Sequence, residues 1–209
     1  GKKRGLTYRQ SVITTLLTYA LVYVWIYIQY WVESGFQDWG GKNIVRGFVY
    51  IPILALPAAK IFKIERKKLW DFLDAGPPIA QGISHIGCIF TGCCSGFENP
   101  WGIYNLREGT TLFPVQLFEA ATALIIGGIL VIWMKKNSFK DTGKLCPAML
   151  IMFGLTRFFW EFFRDNEKIF MGCSILAFHA LFMAIVGIII LCVITIKEKK
   201  DKSKPSLSN

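Results

Sequence analysis

One His, three Cys and three Gly fall within the twelve residues His85-Ile86-Gly87-Cys88-Ile89-Phe90-Thr91-Gly92-Cys93-Cys94-Ser95-Gly96, inside an otherwise oily chain. An imidazole exchanges a proton near neutral pH, and thiols ligate soft metals or form disulfides. The series Gly82, Gly87, Gly92 and Gly96 suits either close helix packing or close approach of a lipid head group to the backbone. Two further polar sets belong with this one. Arg157, Glu161 and Arg164 stand at i, i+4 and i+7 in Thr-Arg-Phe-Phe-Trp-Glu-Phe-Phe-Arg-Asp, which puts all three on one side of a helix otherwise built from Phe and Trp. In Phe113-Pro114-Val115-Gln116-Leu117-Phe118-Glu119-Ala120, Pro114 suits a first helical turn and Gln116 shares a face with Glu119.

Two readings of each charge set follow. An Arg pair with a carboxylate between them makes a phosphate clamp that carries its own orienting group. Alternatively, Arg157 and Glu161 form a structural ion pair near the interface while Arg164 snorkels. Glu119 either meets Arg157, Arg164 or a backbone donor, or it sits solvated behind a helix cap. His179, alone in an apolar segment, reads as a hydrogen-bonded packing residue.

The elements that must carry these groups are membrane spans. With 53% hydrophobic residues, seventeen Phe, seven Trp and a mean hydropathy of +0.42, the apolar runs are long enough to cross a bilayer at about 1.5 Å of rise per residue. The fold class expected is an all-α integral membrane protein of about six crossings, near residues 11–32, 47–64, 72–97, 112–134, 145–163 and 172–196. The third and fourth also suit broken or re-entrant segments, given Pro77, Pro78 and the glycines. Eighteen of the 24 Lys and Arg residues fall into four groups: Lys2 to Arg9, Lys60 to Lys68, Lys135 to Lys144 and Lys197 to Lys204. Basic residues at span ends stay cytoplasmic, so an even number of crossings with both termini inside places every group on one face. The net charge of +10 is then a topology signal, and it argues against a nucleic-acid partner, which would need one soluble basic patch. A single transmembrane domain over 1–196 is expected, followed by a polar, disordered tail over 197–209. The chain starts at Gly1 without Met and shows no cleavable signal, as expected of a trimmed chain or a piece of a longer reading frame. Cys146 and Cys192 are expected as buried small hydrophobes in the inner half. Cys88, Cys93, Cys94 and Cys173 belong to the outer half, where a disulfide is permitted.

Three blocks, taken together, resemble the prolipoprotein diacylglyceryl transferases: the run from Leu69 through Gly96, Phe-Pro-Val-Gln-Leu-Phe-Glu-Ala from Phe113, and Arg-Phe-Phe-Trp-Glu-Phe-Phe-Arg from Arg157. Their order and spacing match across most of the chain. The resemblance implies a multi-pass enzyme of the bacterial cytoplasmic membrane that moves a diacylglyceryl group from phosphatidylglycerol to the thiol of a lipobox cysteine in a secreted precursor. Family members usually have seven spans with the amino end outside, and a bundle lacking the first span agrees with the charge count. The signature block of the family usually opens Gly-Arg-x-Gly-Asn; here Ser84-His85-Ile86-Gly87-Cys88 stands in its place. The His of a family His-Gly-Gly block aligns with Arg46, so a guanidinium and an imidazole trade places across the site.

The implied mechanism is a displacement at the glyceryl carbon attached to phosphate, with a base near the thiol and an Arg cluster at the phosphate. His85 is the candidate base or head-group contact; Arg46, Arg157 and Arg164 hold phosphate; Glu161 and Glu119 orient those guanidinium groups. Gly87, Gly92, Gly96 and Gln116 complete the substrate-binding set. No cofactor or metal is required. Two rival classes are a non-transferring homologue that binds lipid or peptide, and a membrane thiol-redox or metal-binding protein using His85, Cys88, Cys93 and Cys94. Against the latter, adjacent Cys93 and Cys94 do not ligate one ion easily and the paired-Cys spacing of zinc modules is absent.

Overall fold

The structure is a computed structural model, and it describes residues 6–37, 47–136 and 142–203. Among the described residues the elements run in the order α1 (Tyr8–Glu33), α2 (Ile51–Leu54), α3 (Leu56–Ile61), α4 (Arg66–Leu73), α5 (Gly76–Thr91), β1 (Glu98–Asn105), β2 (Thr110–Leu112), α6 (Val115–Lys136), α7 (Leu145–Glu161) and α8 (Ile175–Lys202). Among the described residues α1, α6 and the stretch Ile175–Asp201 of α8 are long and apolar enough to cross a membrane. Their burial pattern fits lipid as the outer solvent. On α8 the small residues Ala177, Ala180 and Ala184 face protein, while Phe182, Ile185, Ile189, Val193 and Ile196 face outward. A helix bathed in water would put polar residues there.

Where sequence suggested continuous spans, local chemistry breaks the helices. Pro52 and Pro57 each sit in a first turn and divide the second segment into α2 and α3. The third span also ends early. Helix α5 opens on Pro77 and Pro78 and stops at Gly92, whose φ of +67° caps it in the left-handed region that glycine enters without penalty. Its sixteen residues are short for a full crossing.

Between α5 and α6 the all-helical expectation fails. Residues 98–112 form a two-stranded antiparallel hairpin, with Tyr104 opposite Thr111 and Asn105 opposite Thr110. The β-branched and aromatic content of Trp101, Ile103, Tyr104, Thr110 and Thr111 favours the pleat. Asn105 makes the turn: its side-chain oxygen accepts from Arg107 N at 2.9 Å, and its carbonyl accepts from Gly109 N at 2.8 Å. At the other end of the chain, α8 continues to Lys202, past the point where a polar tail was expected to begin.

Two contacts define the basic end of the molecule. Asp71 is fully buried and accepts from Gly143 N at 2.9 Å and Leu145 N at 3.0 Å, capping the start of α7 from α4. Lys144 meets Glu198 at 2.6 Å, tying the start of α7 to the end of α8. Helices α7 and α8 pack closely because Gly154 has no side chain: a Cβ there would lie 2.7 Å from the Ala180 carbonyl oxygen. Helices α5 and α6 are the other tight pair, with Gly82 set against Leu124. The C-terminal parts of α5 and α7 and the N-terminal end of α6 meet around Glu119, His85 and Arg157, where Lys168 donates to the Glu161 and Arg164 carbonyls at 3.2 Å.

Candidate functional site

Glu119, one turn into α6, is the hub of that meeting point. It is 4% exposed, and its carboxylate ion-pairs with Arg157 and with Arg164, both from the α7 segment; Arg164 reaches it through Nε and Nη2 together. His85 Nε2 of α5 lies 3.2 Å from the same carboxylate. Three segments distant in the chain thus converge on one carboxylate. The reason is electrostatic: a buried carboxylate, or a buried guanidinium, is costly without a partner.

The expected single helix face holds for Arg157 and Glu161 only, because α7 ends at Glu161 and Arg164 sits beyond it, in a bridge with Gly96. Arg157 also pairs with Glu161 at 2.7 Å, one turn on. Glu161, 1% exposed, is held in turn by Ser174 Oγ at 2.7 Å and by Asn166. The snorkelling alternative for Arg164 does not hold, since this side chain is buried. Two nitrogens of the cluster keep no protein partner: Arg157 Nε and His85 Nδ1. On its other side His85 Nε2 is 2.6 Å from the Gln81 amide, one turn earlier on α5.

The thiol loop is fastened from the hairpin. Asn105, 6% exposed, donates to the Gly92 carbonyl at 2.8 Å and to Ser95 Oγ at 2.9 Å, while Gln116 donates to Ser95 Oγ at 3.3 Å. Gly96 pairs with Arg164 as an isolated bridge, and a Cβ at Gly96 would stand 2.3 Å from the Phe163 carbonyl oxygen. Stacked aromatic rings, Phe97 on Phe113 at 5.7 Å, Phe113 on Phe118 at 5.4 Å and Phe118 on Trp160 at 5.2 Å, flank the charged groups. A polar cleft of about 440 Å³ opens beside them, lined among others by Cys94, Gly96, Asn105, Arg164 and Asn166. An apolar groove of about 210 Å³ lies between α1 and α5 against Tyr19, Val22, Ile26, Phe48 and Gln81. A charged pocket with an apolar groove at its side suits an amphipathic molecule.

A family model described as prolipoprotein diacylglyceryl transferase matches residues 6–193. The chain belongs to this family. A relative from Clostridium perfringens named phosphatidylglycerol--prolipoprotein diacylglyceryl transferase 2 is 28% identical over 175 residues, covering 79% of this chain and 68% of that protein. The phosphatidylglycerol--prolipoprotein diacylglyceryl transferase of Clostridium tetani is 28% identical over 71% of this chain and 65% of its own length. A protein of the same name from Campylobacter lari is 33% identical over 50% of this chain and 40% of its length. The chain therefore spans about two thirds or less of these diacylglyceryl transferases.

Most of the residues singled out from sequence meet in this cluster or beside it. His85, Glu119, Arg157, Glu161 and Arg164 form one cluster, and Gln116 and Gly96 adjoin it. Gly92 serves the loop, since a Cβ there would strike Asn105 Oδ1 at 2.6 Å. Gly87 lies apart: nothing stands within 4 Å of where its Cβ would be. Arg46 falls outside the described residues. His179 bonds through Nδ1 to the Ile175 carbonyl at 2.8 Å, the packing role expected of it. Cys146 is buried, but Cys192 faces outward on α8, and all six thiols are free. Sequence reasoning missed Gln81, Asn105, Asn166 and Ser174. Ser174 could have been found as the N-cap of the apolar run that becomes α8, but its bond to Glu161 joins two helices and leaves no local trace.

Gly96→Ala should displace the strand-like contact that holds Arg164, and a shift of about 1 Å in a binding group lowers a rate by about 100-fold. Gly128→Ala on α6, where a Cβ meets nothing within 4 Å, serves as the control that leaves the rate unchanged. Equal rates for the two variants in a glycerol phosphate release assay would remove Gly96 from the site.

Proposed function

We propose that this chain transfers a diacylglyceryl group from phosphatidylglycerol to a cysteine thiol of a prolipoprotein or related peptide, at the outer face of the bacterial cytoplasmic membrane. We read about six membrane segments, the second broken and the third the short helix α5, with both termini inside, a single membrane domain over 1–196 and a polar cytoplasmic end, and this topology carries the site to that face. The one observation that supports this most is the buried Glu119 carboxylate shared by Arg157, Arg164 and His85. A membrane protein keeps such groups at the end of its helices mainly to hold a charged substrate, and the relatives, named for phosphatidylglycerol, suggest which one.

Arg157 and Arg164 bind the phosphate, since planar guanidinium groups match phosphate oxygens in pairs. Glu119 and Glu161 aim them. The glyceryl carbon bonded to the phosphate oxygen is the reacting centre. The acceptor sulfur forms the new S–C bond there, and the C–O bond breaks with its electron pair leaving on glycerol phosphate, whose charge the two guanidinium groups offset. The acyl chains lie toward the apolar groove between α1 and α5, and the acceptor enters by the polar cleft beside Cys94. His85, with Nδ1 free of protein partners, takes the proton of the acceptor thiol as the base.

Incubation of the purified chain with head-group-labelled phosphatidylglycerol and a lipobox peptide should release labelled glycerol phosphate and add one diacylglyceryl mass to the peptide cysteine. A folded protein that gives neither product, or a peptide with Ser for the acceptor Cys that is modified equally, would end this reading.

A further inference from the structure

A second chemical feature lies against the charge cluster. A ring nitrogen of His85 and the sulfurs of Cys88 and Cys94 all lie within 4.8 Å of one another. The local fold is what gathers them. His85 and Cys88 stand three residues apart on α5 and so share a face. Gly92 then ends the helix, Cys93 N bonds back to the Cys88 carbonyl at 3.2 Å, and Cys94 adopts a φ of +62°. That conformation is costly for a residue with a Cβ, and strain of this kind concentrates at functional loops. The objection raised by adjacent cysteines is met because Cys94 alone of the pair joins both His85 and Cys88; the Cys93 sulfur lies against Cys88, Cys94 and Thr91 Oγ1, the last at 3.2 Å, and is not a member of the group that includes His85.

His85 is the informative member. It is 4% exposed, Nδ1 has no partner, and Nε2 faces Glu119 at 3.2 Å. A carboxylate on one imidazole nitrogen with the other nitrogen free is the arrangement that supports a metal-bound histidine. We propose that His85, Cys88 and Cys94 bind one zinc ion through three protein ligands and leave the fourth position for the acceptor cysteine thiol. This inference rests on the transferase reading for the identity of the thiol.

Zinc fits the donor set. Two thiolates and an imidazole suit a borderline-soft dication, and bonds of about 2.3 Å to sulfur and about 2.0 Å to nitrogen need ligand atoms roughly 3.5–3.8 Å apart in a tetrahedron, a small contraction of the group present. The charges also balance: two thiolates offset the dication, and Glu119 with Glu161 offsets Arg157 with Arg164. Three protein ligands with an open position mark catalytic rather than structural sites, and a coordinated thiol gives up its proton. With zinc bound, His85 is a ligand in place of the base: in the transfer step the thiol proton goes to solvent, the sulfur lone pair forms the S–C bond, and the C–O pair departs with glycerol phosphate. Nothing is oxidised or reduced.

The test uses the full chain in detergent, loaded with zinc alone and assayed for metal by mass spectrometry, and loaded with cobalt alone for thiolate-to-metal absorption. One metal per chain is expected. Cys88→Ser and Cys94→Ser should each weaken binding by more than the roughly 10–100-fold that loss of a supporting group costs, whereas Cys93→Ser should bind as the parent does. A lipobox peptide should shift the cobalt spectrum, and the same peptide with Ser for Cys should not. Absence of metal, loss of binding in Cys93→Ser equal to that in Cys94→Ser, or full transfer by zinc-free protein would overturn the proposal, and the last would leave the transferase reading intact. Metal bound as expected, with the spectrum shifted by the Cys peptide but no glycerol phosphate released, would instead support the thiol site and count against transfer.

Discussion

Glu119→Ala abolishes transfer and costs the protein about 3–5 kcal/mol of stability, the loss expected when one partner is removed from a buried ion cluster. The loss is large because two guanidinium groups and an imidazole depend on one carboxylate. Arg164 is affected strongly, since Nε and Nη2 together meet Glu119. Thermal unfolding in detergent checks the stability, and glycerol phosphate release checks the rate. Glu119→Gln separates positioning from packing. The amide fills the same space but turns a donor toward one of the two guanidinium groups, so this variant folds with a weakened hold on lipid, seen as a raised KM for phosphatidylglycerol together with a lowered kcat. A Glu119→Gln protein with parental kinetics would show that the carboxylate charge plays no part in orienting the arginines.

Arg157→Ala is the second large effect, and it falls on chemistry more than on folding. Removing one preorganised donor to developing charge lowers a rate by about 10²–10³-fold. The carboxylates it leaves behind are not stranded. Glu119 keeps Arg164, and Glu161 keeps Ser174 and Asn166, so insertion and folding survive. Arg157→Lys does not restore the rate, because an ammonium cannot bridge Glu119, Glu161 and a phosphate with one planar group. Normal lipidation of a precursor by Arg157→Ala protein would show that this guanidinium has no hold on the phosphate. The Arg157→Ala, Arg164→Ala pair should lose less than the product of the single losses, since both act on one substrate group.

Several features of this site are legible in the order of residues alone. The spacing of Arg157 and Glu161 is a statement about one helix face, and the structure keeps it with their contact one turn apart, whereas Arg164 lies beyond the last residue of α7 and reaches Glu119 from there. That Glu119 needed a cationic partner follows from placing a carboxylate among apolar residues. Pro52, Pro57, Pro77, Pro78 and Gly92 signal helix interruption because each alters the backbone locally. The hairpin over 98–112 gave a weaker signal. Its strands are short, alternate poorly and are bulged between Glu98 and Ile103, so no period stands out.

Composition and helical period determined that the chain is a membrane protein of mostly helical fold, that its basic residues gather in four short groups, and that Arg157 and Glu161 share a helix face. These depend on transfer free energies and on neighbours within one or two turns, which residue order specifies. Only the tertiary structure decided that Glu119 binds both arginines at once, that Ser174 and Asn166 hold Glu161, and that Cys94 rather than Cys93 joins His85 and Cys88. Each of those is a choice among several polar partners of similar intrinsic affinity, and packing of α5, α6 and α7 makes it by bringing some within reach and leaving the rest too far away.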